Sequence, residues 1–181
     1  MHRLHIPIGV NMSRWDKGVD YETMYTRLLR KISSVKSNNT RCYLIISLIQ
    51  LRNGSRVSEA IRAFKEWVKS NKVEVYVKVS KKKRLEERLM IIPSEIAHYR
   101  LHCVDLLDVE DKVLRERVRA TLHYYFKINT HSLRYSFITY MLRIGVNPAL
   151  VSKMIRHSRL DTLMSYVQTK EADNMLKRIV V

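Results

Sequence analysis

Apolar residues alternate strictly at one place in this chain. In KVEVYVKVS (residues 72–80), Val73, Val75, Val77 and Val79 point one way, and Glu74, Tyr76 and Lys78 point the other. That is the pattern of a strand with one buried face. RLMIIP (88–93) reads as its return strand, closed by Pro93, which has no N–H to extend a ladder. Between them KKKRLEE forms a charged hairpin tip without the Asn-Gly of a tight turn. On both sides of this hairpin the apolar spacing changes to three and four residues. One small hairpin within a helical chain constrains the fold to a mostly α domain with a small antiparallel β-sheet, an α+β arrangement.

The helical segments have recognisable starts and stops. Tyr21, Met24, Tyr25, Leu28, Leu29 and Ile32 form the stripe of a first helix, which ends in the run Ser33–Asn39. Thr40 is placed to cap a second helix through CYLIISLIQL, apolar nearly all round and therefore expected in the core. Asn53-Gly54 stops it with a left-handed cap. A third helix runs from Ser55 to Phe64, Trp67-Val68 reads as a short strand, and Asn71 marks a turn. After Pro93 the chain reads as helical: from Ser94 to about Leu107, from Val109 to Tyr125, and from a Thr130 cap to Gly145. NPALVSKMIRHS is a short helix with Asn147 as cap and Pro148 at its first position, where the missing N–H costs nothing. RLDTLMSYVQT follows, with Asp161 or Thr162 as its cap. Residues 1–20 read as an arm or linker, 21–169 as one domain, and 170–181 as a basic tail ending in Ile179, Val180 and Val181.

Charge narrows the partners. Lysine and arginine number 34 against 17 acids in 181 residues, a net charge of +17. Such a field suits a polyanion, nucleic acid before an acidic membrane. The apolar stretches are too short for a transmembrane helix, and the start MHRLHIPIG lacks the apolar core of a signal peptide. Two cysteines, Cys42 and Cys103, cannot build a disulfide framework, so they read as buried thiols of a reduced, intracellular, cytoplasmic protein. His98 and His102 are four apart on a helix but have no evident third ligand, so no metal site is expected.

The candidate chemistry lies in the last third, where His131-Ser132-Leu133-Arg134 is followed by Arg156-His157-Ser158 and then Tyr166. An H-x-x-R step puts an imidazole and a guanidinium one helical turn apart. Arginine's planar fork matches two phosphate oxygens and stays charged. A tyrosine can attack phosphorus and store the bond energy as a phosphotyrosine ester.

THSLRYSFITYMLRIGVNPALVSKMIRHSRLDTLMSYVQT resembles box II of the tyrosine site-specific recombinases, the lambda-integrase family. That box reads H-x-x-R, a turn glycine, a short helix ending in G-H-S, and a tyrosine nine residues on. LRNGSRVSEA (51–60) resembles the family's box I, T-G-x-R-x-S-E, with Gly54, Arg56, Ser58 and Glu59 in those places. The resemblance spans roughly residues 40–170 and implies the family's catalytic-domain fold. It implies Tyr166 as the nucleophile that joins the DNA 3′-phosphate, and Arg56 and Arg134 as clamps on the non-bridging oxygens. Lys81 would protonate the leaving 5′-oxygen, with Lys82, Lys83 and Lys78 as alternatives. His131 would assist proton transfer, and His157 would hydrogen-bond a phosphate oxygen. It implies double-stranded DNA as partner, a homotetramer on paired sites, and neither metal nor cofactor. It also implies a C-terminal segment passed between subunits, for which NMLKRIVV is the candidate. Lysine and isoleucine usage with few glycines points toward a thermophile or an archaeal virus.

Two departures stand out. Arg156 replaces the glycine before the second histidine, and residues 1–40 are too short to be the family's N-terminal DNA-clamping domain. The alternatives are a type IB topoisomerase-like nicking-closing enzyme and a non-catalytic DNA-binding protein with a decayed site.

Overall fold

The computed structural model describes residues 19–79 and 86–156. Helix α1, Tyr21–Ser34, opens with Asp20, whose carboxylate accepts from the Thr23 N–H at 2.9 Å. It buries the stripe Met24, Leu28 and Ile32. Helix α2, Asn38–Asn53, is the central element: α1, α3, α4, α5 and the segment after the hairpin all pack on it. Its run from Leu44 to Leu51 is buried throughout, as an all-round apolar helix requires. Its cap is Ser37, whose hydroxyl accepts from Thr40, so the helix starts earlier than a Thr40 cap implies. Gly54 ends it at φ +55°.

Helix α3, Val57–Ser70, absorbs the Trp67-Val68 pair read as a strand. Both residues lie three and four positions after Phe64 and bury with it, so helical spacing outweighs the strand preference of the pair. Asn71 closes α3 at φ +58°. Strands β1 (Glu74–Lys78) and β2 (Glu87–Ile91) pair antiparallel, with Val75 opposite Met90 and Val77 opposite Arg88. Val75, Val77 and Val79 are buried, whereas Val73, ahead of the strand, is exposed.

Residues Ser94–Leu106 wind as 3-10 turns that bury Ile96, Cys103 and Leu106. Helices α4 (Asp111–Phe126), α5 (Thr130–Arg143) and α6 (Pro148–Ile155) complete the described chain. Asn129, one residue before the expected Thr130, caps α5 by accepting from the Ser132 N–H at 3.0 Å. Asn147 caps α6 as its sequence indicates. A main core spans α1 to the start of α5, and a second, small cluster of Phe137, Ile138, Val151 and Ile155 joins α5 to α6.

The cysteine expectation is corrected here. Cys42 on α2 and Cys103 in the 3-10 segment are joined by a disulfide, their Cα atoms 5.8 Å apart. Pairing depends on where the fold brings residues separated by 61 positions, which a count of two cysteines cannot reveal. The cysteines therefore give no support to a reducing compartment. Among the described residues no helix is long and apolar enough to cross a membrane.

Candidate active site

The site is built around the turn from α2 to α3. Asn53 fixes that turn to the hairpin: its side chain accepts from Ile91 N–H and donates to the Ile91 carbonyl, both at 2.8 Å. Gly54 follows in the left-handed region, and the Phe137 ring lies so close that a Cβ there would sit 2.2 Å from it. Glycine is thus required twice, for backbone conformation and for space. Gln50 donates to the carbonyls of Ser55 and Thr130, tying the turn to the start of α5.

Arg56 occupies the N-cap of α3 and is partly exposed. Its Nη1 meets Glu59 Oε1 at 3.1 Å, and its backbone N–H donates to Glu59 Oε2. Glu59 is fully buried and also binds Arg88 Nη1 at 3.3 Å. Arg88 was not singled out from the sequence. The available signal is the alternation Arg88, Met90, Ile92, which puts the arginine on the covered face. Its Nη2 donates to the Asn53 carbonyl at 2.7 Å. Burial, only partly offset by Glu59, lowers its pKa.

Arg134 approaches from α5, one turn after His131. It is buried, and Nη1 donates to the Gly54 carbonyl at 2.8 Å and Nη2 to the Ile155 carbonyl at 3.1 Å. Among the described residues no carboxylate forms an ion pair with it. Burial first, then repulsion from Arg56, pushes its pKa down to about 10, so it remains a cation at neutral pH. The fold therefore brings Arg56 and Arg134 to the same turn, where each acts electrostatically on the other.

His131 is exposed at the first turn of α5. It lines a cleft of about 680 Å³ with Val57, Asn129 and the α4 residues Arg115, Arg119 and His123. Those three lie at successive four-residue steps, so one face of α4 presents a mostly basic row toward the cleft, with Glu116 also lining it 3.8 Å from Arg119. Lys81, with its neighbours Lys82 and Lys83, and His157 and Tyr166 lie outside the described residues. Lys78 ends β1 and is exposed.

Arg156, in the glycine position of the box II pattern, caps α6 at φ +52°. The usual glycine is thus explained by left-handed backbone, which arginine adopts here at a cost. Its Nη1 pairs with Glu86 Oε1 at 3.2 Å.

No family model matches the chain. Individual proteins do. A protein named as an integrase, ORF241 of Acidianus two-tailed virus, is 36% identical over 168 residues, covering 91% of this chain and 68% of that protein. A protein named tyrosine recombinase from Pseudothermotoga lettingae is 26% identical over 161 residues, covering 80% of this chain and 55% of the relative. Among solved structures, the XerH site-specific recombinase bound to its palindromic difH substrate in a post-cleavage complex aligns with a TM-score of 0.63 at 19% identity. That alignment covers 94% of this chain and 56% of the XerH chain, so the present chain spans little more than half of it.

Proposed function

The chain belongs to the integrase family of tyrosine recombinases, and from that premise we propose that it cleaves and rejoins duplex DNA through a 3′-phosphotyrosine. In this reading the Tyr166 oxygen attacks the scissile phosphorus and the bond from phosphorus to the 5′-oxygen breaks. Lys81 gives its proton to that leaving oxygen. Rejoining reverses the sequence: a 5′-hydroxyl attacks the phosphotyrosine and Tyr166 leaves. Each step exchanges one phosphoester for another, so the bond energy is kept and no ATP and no metal is required. His131 assists proton transfer and His157 hydrogen-bonds a phosphate oxygen. The assembly is a homotetramer on paired attachment or recombination sites, consistent with integration of a viral genome.

The observation that carries this reading is the state of Arg134. Among the described residues its hydrogen bonds go to neutral carbonyls, so this buried guanidinium keeps a charge that Glu59 offsets only in part, and a phosphate anion is the partner that relieves it. Arg56 stands across the turn with its edge partly open, so two forks can share the non-bridging oxygens as charge builds on them. The basic row Arg115, Arg119 and His123 offers the DNA backbone a track that leads to His131.

The direct test uses a suicide substrate nicked beside the cleavage position, so that the released fragment diffuses away. Wild-type protein is expected to give a covalent protein–DNA band on a denaturing gel, and Tyr166→Phe none. Wild type that shifts DNA on a native gel, yet yields no covalent band across a library of attachment sites, would establish a DNA binder instead.

A further inference from the structure

We propose that Arg156 is a phosphate ligand for the bound DNA strand, held against Glu86 in the free protein and released to the DNA when it arrives. This inference rests on the recombinase reading and assigns a residue for which the box II pattern carries only glycine.

Three observations lead to it. First, Arg156 pays for its place in backbone conformation: it sits at φ +52°, ψ 47° as the cap of α6, where glycine is unstrained and arginine is not. Second, its charge is badly placed for stability. It adds to a cluster of guanidiniums, and its field together with that of Arg56 opposes the charge on Arg88. Third, its partner does little to offset either effect. The Arg156 and Glu86 side chains are 37% and 32% exposed, and ion pairs that open to water contribute little. A residue that is unfavourable by backbone and by charge, at the rim of a cationic site, is one whose favourable interaction lies with something absent from the free protein.

The charges identify that partner as an anion. Arg56, Arg88, Arg134 and Arg156 stand against Glu59 and Glu86, leaving the cluster net positive. Arg88 and Arg134 are buried and bonded inward, to Glu59 and Asn53 and to Gly54 and Ile155. Arg56 and Arg156 are the cluster's partly exposed guanidiniums, at 24% and 37%. Glu86 offers Arg156 the same bidentate-type acceptor that a phosphodiester would, which makes it an exchangeable stand-in. Glu86 is also anchored through its backbone: its carbonyl accepts from Val79 N–H at 2.7 Å, continuing the pairing of β1 with β2. The carboxylate therefore stays behind when the arginine turns to DNA.

The experiment measures binding of a fluorescent DNA duplex to the full 181-residue chain by anisotropy, over a salt series, for wild type, Arg156→Gly and Glu86→Gln. Arg156→Gly is expected to melt no lower than wild type, yet bind about tenfold more weakly near physiological salt, with the log–log salt slope reduced by about one. Glu86→Gln is expected to bind as tightly as wild type or tighter, with an undiminished slope. A purely structural ion pair predicts the opposite pairing: both variants melt lower and lose affinity together, and that result would overturn the proposal. So would an Arg156→Gly variant with wild-type affinity and slope. Arg156→Asn, which also tolerates left-handed backbone, repeats the readout should glycine loosen the turn. A wild-type chain that fails to bind duplex DNA removes the recombinase reading itself; wild-type binding that ignores Arg156 removes only this inference.

Discussion

Arg56 and Arg134 bear the same side chain on two sides of one turn, and the two halves of the site hold them by opposite means. On the box I side, Arg56 shares the buried carboxylate of Glu59 with Arg88. One buried carboxylate there offsets part of the charge of two guanidiniums, and the half is a hydrogen-bonded network that holds its own geometry. On the box II side, Arg134 is fixed by the carbonyls of Gly54 and Ile155 and meets no carboxylate among the described residues. The first half is organised around a shared carboxylate, and the second holds its cation, among the described residues, on carbonyls alone. In the proposed reaction the contrast separates the tasks: Glu59 and Arg88 set the geometry of the turn, and Arg134 would supply the cation that an incoming phosphate neutralises.

Substitution should expose this difference in opposite readouts. Glu59→Gln leaves Arg88 buried without its counter-charge, and unfolding experiments should register a loss of about 3–5 kcal/mol. Arg134→Met removes a buried charge along with its hydrogen bonds. Those effects oppose each other, so stability should change by no more than about 1 kcal/mol. Covalent DNA capture should nevertheless fall by about 100-fold or more, as for loss of a preorganised donor to a reacting oxyanion. Equal stability losses for the two variants in denaturant melts would erase the distinction between the halves.

The two positive-φ glycines among the described residues, Gly54 and Gly145, sharpen it further. Gly54 joins the halves, because Arg134 donates to its carbonyl and Phe137 covers its Cα. Gly54→Ala combines left-handed strain with a clash against a core ring and should cost about 2–4 kcal/mol. Gly145, at φ +84°, has nothing within 4 Å of where a Cβ would stand. Gly145→Ala should therefore cost only about 1 kcal/mol, the backbone part alone. Thermal melts of the pair separate strain from packing, and a similar cost at both sites would mean that the Phe137 contact yields easily.

The parts of this arrangement that were legible in the sequence are those governed by local rules. The hairpin followed from strict alternation, the end of α2 from Asn53-Gly54, and the start of α6 from Asn147-Pro148. The proximity of His131 and Arg134 followed from one turn of helix. What could not be read depended on distant partners. Phe137, 83 positions after Gly54 by number, supplies the second reason for that glycine. The burial of Arg88 depends on what covers β2, and the Cys42–Cys103 bond on how the 3-10 segment lies against α2. The 3-10 winding of Ser94–Leu106 was not foreseen because such winding seldom runs beyond a few residues, so a helical segment of this length is expected to be α. The Trp67-Val68 pair failed for a related reason: two strand-favouring residues outweighed a helical spacing that began before them.

The smallest expected effect tests the excess charge directly. Burial holds Arg134 at a pKa of about 10 in the folded chain, below the ordinary range of an arginine. For a base with a depressed folded pKa, the unfolded chain binds the proton more tightly. The destabilisation is then fully present at neutral pH and is relieved as pH rises through and beyond about 10. Wild type should therefore gain about 1 kcal/mol relative to Arg134→Met between pH 8 and pH 11. Comparing the two proteins cancels the titration of lysines and tyrosines that they share. A bound phosphodiester supplies the missing counter-charge and raises the folded pKa again, so the gain should shrink when the melts are repeated with saturating duplex DNA. A gap that stays flat across this range in the free protein would show that the guanidinium is already neutralised, and the two halves of the site would then be held alike.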